Sequence, residues 1–340
     1  MRIIGNKGDD MEELRESMDH LLLTRGIAPL ETCELRFDGI AAQFSDGDDL
    51  WFRHLWFRHA IRCQVRVLRF LFTMNGKCFG LRDLHLVSQH LMKLELAGVD
   101  VNENFLNLSG CPALEQLAVD NSDLCLVKKI LSKSLKCLSI TFCEFSRSFR
   151  THIDTPSLVS LLLDDNWNTP VLESMPSLVD ASIRIAGEDM DSCHDIIHGK
   201  GNCILLGGLS KAGNLALIAE SKTFIFKMDL KWCPTFSKLK TLLLRDYWFV
   251  ALDLDTISCI IKNSPVLEKL TLELSSKGSD QKIKMKGNYT PVQETTAISE
   301  HLRIVEVKCD VVDEKVHKVL KLLSTFNILS CSVGKQLSKW

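Results

Sequence analysis

Leucine positions between Cys111 and Ile185 follow a fixed pattern. The pattern is Leu-x-x-Leu-x-Leu, with substitutions at the last two positions, and it begins at Leu114, Leu135, Leu158 and Leu178. These starts are separated by 21, 23 and 20 residues, which is the period of a leucine-rich repeat. One such repeat cannot bury its own apolar face, so repeats of this kind stack on one another. The sequence therefore predicts an α/β leucine-rich-repeat solenoid, with a curved parallel sheet, an irregular helical convex side and a cap at each end.

The repeats are uneven on both sides of this centre. Before it, the pattern occurs at Leu81 and again at Leu91, only ten residues later, so we expect one of the two to be irregular. After it, a polar stretch at 187–202 leads to a degenerate repeat at 215–218, and the pattern returns at Leu239, Leu267 and Leu302. We predict three regions, namely a cap at 1–75, leucine-rich repeats at 76–235, and further repeats with a capping helix at 236–340.

Helical spacing of apolar residues predicts the connections. It favours helices at 11–23, 51–59, 121–132, 255–262 and 313–326,. A short strand is predicted at 32–37, and the aromatic residues of the second helix are expected to pack under a strand at 65–70.

A proline stands two residues before the first leucine of four repeats, at Pro112, Pro156, Pro176 and Pro265. Proline has no backbone N–H and favours extended geometry in the residue before it. We therefore expect each proline to end a return segment and to prepare the chain for the next strand.

Composition and charge narrow the function classes. Forty-one basic and forty-three acidic residues give a net charge of −2, which favours neither a nucleic-acid partner nor an anionic membrane. No apolar run approaches the length of a membrane span, and the first ten residues do not resemble a signal peptide. Thirteen cysteines are scattered without a Cys-x-x-Cys pair. We read them as reduced thiols of a cytoplasmic or nuclear protein.

The sequence offers little for catalysis. It contains no His-Glu-x-x-His, no phosphate-binding loop and no Gly-x-Gly-x-x-Gly,, so we predict a non-catalytic protein without cofactors or metals. One alternative is a metal-dependent enzyme that uses the loop from Asp189 to His198, where two histidines are four residues apart. Another is an extracellular leucine-rich-repeat receptor domain, glycosylated at Asn107 or Asn288.

The concave face of the predicted sheet is the remaining candidate site. Side chains alternate across a strand, so the residues on either side of the second leucine of each repeat point away from the core. Small polar residues in the middle of this row, with charges toward its ends, suit a protein or peptide partner. The candidate binding residues are Lys93, Glu95, Gln116, Ser139, Ser160, Leu162, Asp180, Thr241, Lys269 and Glu306.

Several phrases carry a resemblance to a known family. Cys-Pro-Ala-Leu-Glu-Gln-Leu at 111–117, Asn-Ser-Pro-Val-Leu-Glu-Lys-Leu-Thr-Leu at 263–272, and Leu-Leu-Gly-Gly-Leu-Ser-Lys-Ala-Gly-Asn-Leu at 205–215 resemble the plant F-box/LRR-repeat proteins, particularly those of grasses. Residues 236–274 with 302–326 resemble the C-terminal FBD-type region of the same proteins. The resemblance covers nearly the whole chain from about Met18 onward.

The resemblance implies a function. Family members carry an F-box, which docks on the Skp adaptor of a cullin-RING ubiquitin ligase, followed by repeats that recruit the substrate. No recognisable F-box precedes Met11, which puts adaptor binding in doubt. The resemblance therefore implies a protein-interaction module like the substrate-recognition region of such a receptor, with an unknown protein partner.

Overall fold

The structure is a computed structural model of the 340-residue chain. It describes residues 1–5, 11–38, 49–73, 78–82, 84–166, 168–185, 205–219, 233–246, 260–274, 301–309, 311–312, 314–324 and 330–335. The chain forms two compact units. The N-terminal unit comprises residues 1–158 and 165–173, and the C-terminal unit comprises residues 159–164 and 174–340.

The main sheet of the N-terminal unit contains six parallel strands, arranged in sequence order. Numbered in chain order with the other strands, they are β1 (Arg2–Gly5), β2 (Thr32–Asp38), β3 (Val67–Thr73), β5 (Lys93–Ala97), β7 (Gln116–Asp120) and β10 (Cys137–Thr141). Helix α1 (Met11–Arg25) connects β1 to β2, and α2 (Asp49–Arg62) connects β2 to β3. Both helices and the strand expected at 32–37 are confirmed. The region at 1–75 thus contributes strands to this sheet.

Return segments of the N-terminal unit pair as strands. The four strands β4 (Phe79–Gly80), β6 (Val99–Asn102), β8 (Asp123–Leu126) and β11 (Glu144–Phe145) form one parallel sheet, and β9 (Lys129–Leu131), β12 (His152–Asp154) and β14 (Val171–Leu172) form another. The helix predicted at 121–132 is therefore wrong, since this segment forms β8 and β9. Its apolar positions Leu124, Val127 and Ile130 are nevertheless buried.

The C-terminal unit contains seven strands of the same kind. They are β13 (Ser160–Asn166), β15 (Asp180–Ile185), β16 (Asn214–Ala219), β17 (Thr241–Asp246), β18 (Lys269–Leu274), β19 (Ile304–Cys309) and β20 (Ser330–Lys335). The described connections contain a short helix, α3 (Leu205–Gly208), and α4 (Glu314–Ser324). Of the helix predicted at 255–262, residues 260–262 are described and helical. The helix predicted at 313–326 is confirmed as α4, although it connects β19 to β20 and is followed by another strand.

Buried leucines form the core that the repeat predicts. Leu114, Leu135, Leu158 and Leu178, which open the four central repeats, are at most 2% exposed. The irregular member of the early pair is the one at Leu81. The later one supplies β5, whereas Leu81, Leu84 and Leu86 are buried but lie outside the main sheet. Parallel strands, buried leucines and the repeat period confirm the leucine-rich-repeat solenoid fold.

The four repeat prolines occupy the same position in a turn. In each case the N–H of the opening leucine donates to the carbonyl of the residue before the proline, as from Leu114 to Cys111 at 3.1 Å and from Leu158 to Thr155 at 3.0 Å. Leu178 and Leu267 make the same bond, to Met175 and Ser264. Each proline is thus the second residue of a hydrogen-bonded four-residue turn, where its fixed φ is favourable. The expectation that these prolines prepare the strand is confirmed.

Phenylalanines fill the core of the N-terminal unit beside its leucines. Phe57 of α2 packs edge-on against Phe70 of β3, with ring centroids 5.6 Å apart, and Phe72 stacks on Phe79 at 3.9 Å. The expected packing of α2 aromatics under β3 is therefore confirmed for Phe57. The side chain of Trp51 lies outside the described residues.

Gly98 marks a close backbone approach in this core. Its φ is +64°, and a Cβ placed on it would lie 2.0 Å from the carbonyl oxygen of Phe72. The chain can turn from β5 into β6 at this point because glycine has no side chain and tolerates positive φ.

Candidate functional site

Each main strand presents one open face. Side chains that alternate with the buried leucines lie on it, and we call this surface of each unit the open face. It corresponds to the face predicted to be concave. Parallel register aligns its residues in rows that run across the strands, so that Asp180, Asn214, Thr241 and Lys269 are neighbours in one row.

On the N-terminal unit the open face is occupied by ion pairs. Arg69 lies between Glu34 and Glu95, with nitrogen-to-oxygen distances of 3.9 Å and 2.7 Å. Lys93 pairs with the other oxygen of Glu95 at 2.7 Å, and Arg2 pairs with Glu34 at 3.1 Å. The predicted site residues Lys93 and Glu95 therefore bind each other.

The same contacts determine the charge state of Glu95. Burial alone would raise the pKa of its carboxyl, but hydrogen bonds from Lys93 and Arg69 outweigh burial and hold the pKa below its ordinary value,. Glu95 thus stays ionised in a structural network.

Two further predicted site residues also lie on this open face. Gln116 is exposed, and Ser139 is half-buried and in register with Ala118. At the far end of the same strands, the hydroxyl of Thr141 donates to the carboxylate of Asp120.

A groove of about 440 Å³ lies on the open face of the C-terminal unit. Five strands, β13 and β15 to β18, supply its walls and floor. The residues that line it are Ser160, Leu161, Leu162, Asp180, Ala181, Ser182, Asn214, Leu215, Ala216, Thr241, Leu242, Leu243, Lys269 and Thr271. Its volume is in the range of ligand pockets that hold a few side chains.

A chain of hydrogen bonds runs along one row of the groove. The hydroxyl of Thr241 donates to Oδ1 of Asn214 at 2.5 Å, and Nδ2 of Asn214 donates to Oδ1 of Asp180 at 2.7 Å. Asn214 Oδ1 and Asp180 Oδ1 are thereby each held in position by the hydrogen bond that they accept. This series of hydrogen bonds ends at the carboxylate of Asp180. Its second oxygen, Oδ2, has no hydrogen-bond donor among the described residues.

The next row forms the floor of the groove. Ser182 is in register with Ala216, Leu243 and Thr271, and Leu162 of β13 completes the lining. Small side chains in the centre leave the groove open, whereas Leu162 and Leu243 give it apolar contact area. Such a floor accepts an apolar side chain and offers hydroxyl groups beside it.

The third row lies beyond the groove lining and holds ion pairs. Arg184 Nε lies 2.8 Å from Asp164 Oδ1. The carboxylate of Glu273, which is 4% exposed, accepts hydrogen bonds from Arg245 and from Lys308, the latter at 3.0 Å. Burial alone would raise the pKa of Glu273, but the two cationic donors outweigh burial and lower it below its ordinary value,.

Lys269 and Glu306 bound the groove on its β19 side. Lys269 Nζ donates to Glu306 Oε1 at 2.9 Å, and the hydroxyl of Thr271 reaches the other oxygen at 3.5 Å. The hydrogen bond from Lys269 is the largest influence on Glu306 and lowers the pKa of its carboxyl.

The predicted site residues are thus divided between two surfaces. Lys93, Glu95, Gln116 and Ser139 lie on the open face of the N-terminal unit. The groove brings together five of the others and has Glu306 behind Lys269; these five are Ser160, Leu162, Asp180, Thr241 and Lys269. Sequence reasoning missed Asn214 and Ala216, because β16 belongs to the degenerate repeat, in which Ala212 occupies the buried position of the opening leucine.

Other candidate sites do not assemble within the described residues. The loop from Asp189 to His198 and the triplet at Asn288 lie outside them. Asn107 caps a short 3₁₀ helix (Leu108–Gly110), where its Oδ1 accepts from the N–H and the hydroxyl of Ser109.

In the part of the chain that the structure describes, no group of three or more His, Cys, Asp or Glu side chains could hold a metal ion. Within that same part, no helix is long and apolar enough to cross a membrane.

Nine cysteines whose side chains the structure describes are free thiols. Burial raises the pKa of Cys33 to about 11 and that of Cys143 to about 12. Burial, together with the nearby Asp123, also raises the pKa of Cys125 to about 12. A raised pKa disfavours the thiolate, which is the nucleophilic form of cysteine.

Part of the chain matches a known protein family. Residues 47–186, which are 140 of the 340, are similar to the family described as the leucine-rich repeats of FBD-associated F-box protein At5g56370. No curated protein matches over any part of the chain, and no solved structure matches it. The match covers the regular repeats and agrees with a fold that generally serves protein interaction.

Proposed function

We propose that this chain is a non-catalytic protein-interaction module that binds a peptide segment of its partner in the groove of the C-terminal unit. The observation that carries the proposal is the row from Thr241 through Asn214 to Asp180, which holds oriented polar groups at the edge of a partly apolar floor. A peptide offers both hydrogen-bonding groups and small apolar side chains to such a surface.

Three properties of the groove favour a peptide over other ligands. It is open along five strands, so an extended segment can lie across it. Its floor has the mixture of small polar and apolar residues that is common at protein interfaces. Most of its charged neighbours are matched in pairs, which gives no excess of positive charge for a polyanion such as a nucleic acid,.

The similarity of residues 47–186 to repeats of an FBD-associated F-box protein supports a more specific role. We propose that the module recognises a substrate, as the repeats of an F-box/LRR ubiquitin ligase receptor do. We place it in the cytoplasm or nucleus, where the nine free thiols would remain reduced,.

Peptide selection tests the proposal. A phage-displayed library of random peptides is panned on the immobilised full-length chain, on Ala216→Trp and on Ala118→Trp. Both alanines occupy the central row of an open face and are half-buried, but only Ala216 lines the groove. The indole at position 216 fills the groove without changing its charge.

We expect peptides that enrich on the wild-type chain and on Ala118→Trp, and that bind Ala216→Trp at least about tenfold more weakly, a difference of about 1.4 kcal/mol. Circular dichroism of both variants shows whether each retains its fold. Equal binding to all three proteins, or failure of any peptide to enrich, would contradict the proposal.

A further inference from the structure

Each cation around the groove has a carboxylate partner. Arg184 pairs with Asp164 and Lys269 with Glu306, while Arg245 and Lys308 share Glu273. Asp180 differs, because no cation lies within ion-pair distance of its carboxylate among the described residues. The lining of the groove therefore carries one unmatched negative charge.

The carboxylate of Asp180 is held in place. Its Oδ1 accepts from Asn214, which is itself fixed by the hydroxyl of Thr241. The backbone N–H of Asp180 donates to the carbonyl of Val159 at 3.0 Å. A group oriented before binding loses less conformational entropy when a partner arrives.

Apolar side chains line the groove together with this carboxylate. Leu162 and Leu243 belong to the same lining as Asp180. The aliphatic stems of lysine and arginine bury readily along apolar surface while the charged group stays polar.

We propose that the groove recognises a basic residue of its peptide partner, which pairs with Asp180 and lays its stem along the apolar part of the lining. A neighbouring apolar residue of the peptide occupies the floor between Leu162, Ala216 and Leu243. This assignment rests on the proposed function and specifies the chemistry of the partner. A peptide that is acidic at this position would meet an uncompensated carboxylate.

The sequences and affinities of selected peptides test the assignment. Peptides enriched on the full-length wild-type chain are sequenced, and the tightest binder is synthesised in two forms, one with its basic residue and one with norleucine in that place. Both are titrated against the wild-type chain, Asp180→Asn and Asp164→Asn. Asp180→Asn keeps an oxygen that accepts from Asn214, so the row remains intact. Asp164→Asn is the matched control, because it removes one carboxylate outside the groove lining.

We expect a lysine or arginine at one fixed spacing from an apolar residue in the enriched peptides. Affinity for the basic peptide should fall about fivefold to tenfold with Asp180→Asn and change less than twofold with Asp164→Asn, as expected for a charge-assisted hydrogen bond at an accessible site. The norleucine form should bind wild type and Asp180→Asn equally. Raised salt should weaken only the basic form.

The possible failures are distinct. Peptides that depend on the groove but share no basic position, or that carry an acidic consensus, would overturn the assignment to Asp180 and leave the proposed function standing. Equal affinity of the basic peptide for wild type and Asp180→Asn would do the same. Failure of any peptide to enrich would overturn both.

Discussion

The N-terminal and C-terminal units are built from the same repeat but differ in their return segments and in the polar groups of their open faces. In the N-terminal unit the return segments pair as strands, and the polar groups of the open face pair with one another, as Arg69 does with Glu34 and Glu95. In the described part of the C-terminal unit no second sheet forms, and the open face carries a groove with an unmatched carboxylate. Repeats that bury the same leucines can therefore pair the polar groups of the open face with one another or leave a carboxylate such as Asp180 without an ion partner among the described residues.

Repeat length accompanies the pairing of return segments and does not simply follow the unit, since the strands that begin at Arg2, Thr32 and Val67 are also 30 and 35 residues apart and are connected by helices. The central repeats advance by 20 to 23 residues, whereas the strands that begin at Thr241, Lys269 and Ile304 are 28 and 35 residues apart. A short return segment stays in register with its neighbour and can pair with it. A longer return segment has more residues than the return to the sheet requires, and it can form a helix such as α4.

The largest effect that we expect from a single substitution concerns the tightest backbone approach in the N-terminal unit. Gly98→Ala places a methyl group 2.0 Å from a backbone oxygen at positive φ. Because that oxygen belongs to β3 and cannot rotate away, the free energy of unfolding should fall by about 3 kcal/mol or more. Urea denaturation measures the change.

Gly26→Ala is the matched control for this substitution. Gly26 has the same φ of +64°, but no atom lies within 4 Å of the added Cβ. Its cost should be about 1 kcal/mol, from backbone strain alone. If both substitutions cost the same, the approach of β3 to Gly98 would not be a packing constraint.

Substitutions in the ion networks of the two units should have an intermediate effect on the free energy of unfolding. Glu273→Gln removes the charge that holds Arg245 and Lys308, and should cost about 2 kcal/mol, since a nearly buried carboxylate with two donors is lost,. Glu95→Gln removes a more exposed carboxylate, whose side chain is 23% accessible, and should cost about 1 kcal/mol or less. Urea denaturation at neutral pH gives both values. The reverse order would show that burial does not rank these networks.

The smallest effect that we expect is a pH dependence of the stabilisation that Glu273 and Glu95 provide. The pKa values of Glu273 and Glu95 lie below the ordinary value of 4.5, so the folded state holds these protons less tightly than the unfolded state. Their stabilisation is fully present above the unfolded pKa and is lost as pH falls through the folded pKa. The stability difference between wild type and Glu273→Gln should therefore shrink below pH 4.5. A difference that stays constant to pH 3 would contradict the lowered pKa of Glu273.

Periodicity was sufficient to predict the fold because burial in a stacked repeat depends on local spacing. Leu114, Leu117 and Val119 are all buried, as are their equivalents in the next repeats. The same spacing was ambiguous at 121–132, where Leu124, Val127 and Ile130 fit a helix as well as strands. Pairing of β8 with β6 and β11 decided the outcome, and that pairing depends on residues distant in sequence.

The candidate site was harder to predict for a related reason. Alternation along a strand correctly placed Ser160, Asp180 and Thr241 on an open face, and these lie together in the groove. Alternation does not show which charged residues are already paired, so it places Lys93 and Glu95 among the candidates together with Asp180. Asn214, which connects Thr241 to Asp180, becomes visible only when the strand register is known.

Strand order also has a consequence for how each unit is made. In the main sheet of either unit, every strand after the first pairs with the main-sheet strand that precedes it in the chain. A polypeptide emerging from the ribosome therefore has each partner strand already synthesised when the next repeat appears. Growth by one repeat at a time keeps contacts close in sequence, which shortens the loops that folding must close. Synthesis and folding can thus proceed in the same direction, with a single advancing edge that each new repeat covers.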